Sequence, residues 1–130
     1  MLTKQDMFTR VWNHFIVEKQ PFAVTSSGAN GMFRCQFLTS DGARCAAGLF
    51  ILEEKYDPVL EREIIYADVV KKALEPGAVE HMDLLRSLQA AHDGSALLGE
   101  YERALPEEAR QRMYEALRRV AYNYMLEVPG

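Results

Sequence analysis

Two stretches of apolar residues at helical spacing, one near each end of the chain, constrain its architecture most. In the first, Met7, Phe8, Val11, Trp12, Phe15 and Ile16 fall on one helix face. Thr3 and Asp6 precede them as an N-cap and its N3 partner, a variant of the capping box, and Pro21 stops the pattern. The spacing predicts a helix over 4–19. In the second, Ala109, Met113, Leu117, Val120 and Tyr124 recur behind Pro106, Glu107 and Glu108. Proline suits a first helical turn and carboxylates suit the positive end of the helix dipole, so a helix is predicted from 106 to about 126.

The chain between them changes character. Residues 25–31 are a loop by composition. Residues 32–38 alternate, with Phe33, Cys35 and Phe37 on one side and Arg34 and Gln36 on the other, as a half-buried strand does. Asp41-Gly42 then supplies a hairpin turn. Residues 43–52 read either as a return strand or as a short buried helix through Ala46-Ala47-Gly48-Leu49; a short return strand followed by that helix is favoured. After the turn Tyr56-Asp57-Pro58, residues 67–74 form a short helix ended by Pro76-Gly77. Residues 79–91 form a better one, with Val79, Met82, Leu85 and Leu88 inward, broken by Asp93-Gly94-Ser95. The prediction is a single domain over residues 1–130, α+β and mainly helical: a bundle of four to five helices carrying one small antiparallel β-hairpin.

Apolar residues make up 48% of the 130, enough for a core that needs neither disulfides nor a structural metal. No secretion signal and no apolar run of membrane-spanning length is present, and two cysteines without such a signal fit reduced thiols in a cytoplasm. Charge is uneven. Residues 51–100 hold five basic and eleven acidic groups, which accounts for the net charge of −4. An acidic middle argues against nucleic acid, which is bound through clustered Lys and Arg. It suits a basic protein partner.

Candidate chemistry is sparse. There is no phosphate-binding loop, dinucleotide fingerprint, zincin helix or nucleophile elbow. Cys35, Cys45 and His92, with His14 and His81, are the residues able to ligate zinc, but the Cys-x9-Cys spacing is not that of a zinc knuckle. Small core residues are the commoner role for such cysteines. Hairpin register opposes a Cys35–Cys45 disulfide. His92 beside Asp93 reads either as a base oriented by a carboxylate or as a residue at a helix C-terminus. Glu53, Glu54, Asp57, Glu61 and Glu63 around Tyr56 and Pro58 form an acidic patch, either solvated surface or a docking surface. Arg118 and Arg119 are the candidate anion-binding pair.

The runs Val11-Trp12-Asn13-His14-Phe15-Ile16, Asp41-Gly42-Ala43-Arg44-Cys45-Ala46-Ala47-Gly48, Tyr56-Asp57-Pro58 and Leu88-Gln89-Ala90-Ala91-His92-Asp93 resemble a group of small proteins from bacteria and their phages. The likeness covers roughly residues 8–93. It implies a prokaryotic or viral setting and brings no activity with it; the group's Pro-Asp pair after the apolar run is Glu53-Glu54 here. The expectation is a non-enzymatic binding protein without a cofactor, an inhibitor or regulator of a host protein complex. A small metal-dependent enzyme or metal protein using the Cys and His residues is one alternative, and a nucleotide or small-molecule sequestering protein is another.

Overall fold

A computed structural model describes residues 1–26 and 31–129. Its helices are α1 (Lys4–Trp12), α2 (Asp68–Ala73), α3 (Pro76–Glu80), α4 (Met82–Ala96) and α5 (Pro106–Tyr124). Two short antiparallel ladders accompany them, β1 (Val24–Ser26) with β2 (Phe33–Cys35) and β3 (Leu97–Gly99) with β4 (Glu102–Arg103). The protein is therefore mainly helical with small antiparallel β elements. Among the described residues no helix is long and apolar enough to cross a membrane.

The core follows the two terminal stripes. Met7, Phe8, Val11 and Phe15 are fully buried, as are Met113 and Leu117 of α5, and Leu84, Leu85 and Leu88 of α4 lie among them. α4 packs along α5, and α1 packs on both. Each such side chain contributes about 1.5–3 kcal/mol by leaving water. The capping box at Thr3 is complete: Asp6 N–H donates to the Thr3 hydroxyl at 3.0 Å and Thr3 N–H to the Asp6 carboxylate at 2.9 Å.

Four elements differ from the sequence-based expectation. The first helix keeps α geometry only to Trp12 and continues as a π-helical turn over Asn13–Val17, closed by Glu18 N–H donating to Asn13 C=O at 2.8 Å. The strand within 32–38 pairs backwards, Cys35 opposite Val24, and not with the residues that follow it. The Asp41-Gly42 turn does form, with Gly42 at φ +91°, but its arms meet only at the Leu38–Arg44 bridge. The chain then enters a 3-10 turn at Ala47–Phe50. α4 starts later than expected, at Met82, with Val79 in α3, and runs straight through Asp93-Gly94-Ser95 to Ala96. Buried Ser95 and Ala96 hold that last turn against the core, and packing outweighs the roughly 1 kcal/mol that a helical glycine costs. The ladder β3–β4 had no signal in the sequence. Of the loop expected over 25–31, residues 27–30 lie outside the described residues.

Candidate functional site

Because α4 is unbroken, Gln89 stands about one turn before the adjacent His92 and Asp93 on it. His92 is thus a mid-helix residue, not a C-terminal one. It is fully buried, with its ring 5.5 Å from that of Phe15 and 5.1 Å from that of Phe22. Its Nε2 accepts the Ala23 N–H at 3.1 Å. The ring proton therefore sits on Nδ1, which donates to Asp93 Oδ1 at 2.9 Å. Gln89 completes the tie. Its Nε2 donates to the same Asp93 oxygen at 2.8 Å, and its Oε1 accepts the Ala47 N–H at 2.8 Å.

Cys35 comes to this cluster from β2. A sulfur, a ring nitrogen and a carboxylate oxygen of Cys35, His92 and Asp93 lie within 4.8 Å of one another, the closest set of possible metal ligands among the described residues. Burial, then the charge of Asp93, pushes the Cys35 thiol far above its ordinary range. Cys45 is fully buried outside that trio, its sulfur accepting the Gly48 N–H at 3.3 Å, and burial raises its pKa to about 12. Both cysteines are free.

The geometry limits what this cluster can do. A metal at His92 would need a ring lone pair, yet one nitrogen accepts from Ala23 and the other carries the proton given to Asp93. It would also need the thiolate, which these surroundings disfavour. A nucleophilic role fails similarly, since no ring nitrogen is left to receive the thiol proton. What the arrangement does well is tie α4 to β1, to β2 and to the turn at Ala47. A cleft of about 310 Å³ reaches its edge, lined by Cys35, Gln89 and Asp93 on one side and Glu61, Ile64 and Tyr66 on the other.

The acidic residues divide. The Glu61 carboxylate accepts Phe37 N–H at 2.7 Å, Leu38 N–H at 3.0 Å and Tyr56 O–H at 2.7 Å, so it and Tyr56 anchor the chain just after β2. Glu53, Glu54 and Asp57 are exposed, Asp57 capping a 3-10 turn at Val59 N–H. Arg118 and Arg119 are exposed on α5, with the Arg118 guanidinium 5.6 Å from the Tyr114 ring. No known protein family, no curated protein and no solved structure matches this chain.

Sequence reasoning missed Gln89 and Ala23 as partners of the His-Asp pair. The spacing Gln89-x-x-His92-Asp93 carried the first, as an i, i+4 hydrogen-bonding pair on a helix. Nothing local carried the second, whose contact spans 69 positions.

His14 lies in the π-helical turn, its Nε2 buried without a hydrogen-bond partner. Burial, partly offset by Glu18 and reinforced by Arg44 and His92, lowers its pKa. A histidine with a depressed folded pKa contributes stability that is present above the unfolded value and lost as pH falls. Stability is thus expected to decline as pH drops below about 6.5. Urea unfolding midpoints at pH 7 and 5 should diverge less in His14→Phe than in the parent; equal divergence would remove His14 as the cause.

Proposed function

We propose that this is a small non-enzymatic binding protein of bacterial or phage origin that docks on a host protein complex as an inhibitor or regulator. The observation that carries the reading is the surface of residues 53–69. There Val59, Ile64, Tyr66 and Val69 are 50%, 55%, 45% and 42% exposed, among exposed Glu53, Glu54, Asp57, Glu63 and Asp68. These five exposed carboxylates outnumber the two exposed cations of the segment, Lys55 and Arg62. Exposed apolar side chains set among mainly acidic charge suit a protein interface, the apolar groups supplying affinity and the net negative charge steering a basic partner. Val59 stands on the 3-10 turn Pro58–Arg62, which is seated by buried Leu60 and by Glu61, and Val69 stands on α2, so these two side chains are presented on hydrogen-bonded backbone. The closed hydrogen-bonding of His92 supports the same reading, because the best-formed polar cluster holds the fold together.

The test is partner capture with two baits, the parent chain and the combined variant Glu53→Lys, Glu54→Lys, Val59→Asp and Ile64→Asp. The parent should retain one stoichiometric, basic-surfaced partner from bacterial lysate, and the variant should lose at least tenfold of it. Equal retention by both baits, or none by the parent, would overturn the reading.

A further inference from the structure

A second site lies where the first helix hands over to β1. The π-helical turn ends at Glu18, and Lys19 then takes the left-handed conformation at φ +53°. Pro21 follows, and Phe22 dives into the core. Facing this corner, Ala104 N–H donates to Ala96 C=O at 2.8 Å, and Pro106 opens α5. Between the two runs a cavity of about 150 Å³. Phe22, Ala96 and Ala104 form its apolar wall, and its charged lining is Lys19, Arg103 and Arg110 with no carboxylate.

Four features make this more than a stray basic patch. In a chain of net charge −4, three cations converge on one small cavity. Neither Lys19 nor Arg103 forms an ion pair among the described residues, while Arg110 is held by Glu107, Nη1 to Oε1 at 2.5 Å. The Nε of Arg110 is buried with no hydrogen-bond partner, a donor whose desolvation an anion would offset. Lys19 also occupies a backbone conformation that glycine or asparagine would hold with less strain.

We propose that this cavity binds a small phosphoryl-bearing molecule, its phosphoryl oxygens gripped by Lys19, Arg103 and Arg110 and a short apolar body lying against Phe22. Guanidinium groups match phosphoryl oxygens with paired donors, and an ammonium adds a point charge. The amino end of α5 contributes partial positive charge on the same side. A cavity of this size holds a group about as large as a benzene ring, which excludes a dinucleotide.

The probes are phenyl phosphate and benzoate, titrated into isotopically labelled full-length protein and followed by amide shifts. Phenyl phosphate should bind saturably, shifting residues 19–22 and 103–110, and tighter than benzoate. Lys19→Gly removes the cation while relieving the backbone strain, so the fold is kept; it and Arg103→Gln should each weaken binding about tenfold. Absence of saturable binding at millimolar phenyl phosphate would overturn the proposal. So would tighter binding of benzoate, or affinity unchanged in both variants.

Discussion

Alanine at position 48 is expected to destabilise the domain by about 3 kcal/mol, a large fraction of the roughly 5–15 kcal/mol that holds a domain folded. A Cβ on Gly48 would lie 2.0 Å from the carbonyl oxygen of Phe37 and 3.0 Å from its carbon. The obstacle is backbone, so no rotamer change relieves it. Nor is that backbone free to move. Phe37 N–H is held by Glu61 and Phe37 C=O by Cys45 N–H at 3.3 Å, and both neighbours are themselves anchored. Gly48 therefore sets how closely the 3-10 turn at Ala47–Phe50 approaches the end of β2, and with it the seat of Cys35 beside Asp93. Gly94→Ala is the control. Nothing lies within 4 Å of its Cβ, and it sits inside α4, so the change should stabilise by up to about 1 kcal/mol. Urea unfolding of both variants checks the pair, provided the slopes match that of the parent. A Gly48→Ala protein within ~1 kcal/mol of the parent would mean that this close approach is not what orders the turn.

How far the sequence revealed this molecule depends on the range of the interaction. The α1 and α5 stripes were readable because helical burial repeats every three or four residues, and Phe8, Val11, Met113 and Leu117 are all fully buried. Strand pairing was not, because residues 32–38 carry a strand pattern whether the partner precedes or follows. The Asp41-Gly42 turn pointed forward, while β1 at Val24–Ser26 is too short for a period-two signal of its own. Local punctuation also misled at 93–95, where tertiary burial of Ser95 and Ala96 carried the helix across Gly94. The site followed the same division. The His92-Asp93 pair stood out by adjacency, and Cys35 by residue type. The role of the cluster depends on the Ala23 N–H, which no spacing rule reaches.

Truncating His92 to alanine is expected to cost about 3–5 kcal/mol and to lower Tm by roughly 10 °C or more, since three losses coincide. A fully buried ring leaves a cavity between Phe15 and Phe22. The Ala23 N–H loses its acceptor in a buried setting, and Asp93 loses the His92 donor, keeping those of Gln89 and the Cys35 thiol. Phenylalanine at the same position separates these contributions. It nearly conserves the volume but accepts nothing from Ala23, so His92→Phe should cost about 1–3 kcal/mol, the charge for an unsatisfied buried donor. Both differences are read from urea unfolding followed by the fluorescence of Trp12, which packs in the same core. Equal costs for the two variants would assign the effect to hydrogen bonding alone. A cost under ~1 kcal/mol for His92→Ala would contradict the structural role outright, because a buried ring with both nitrogens engaged can be spared only if the network around it does not hold α4 to β1.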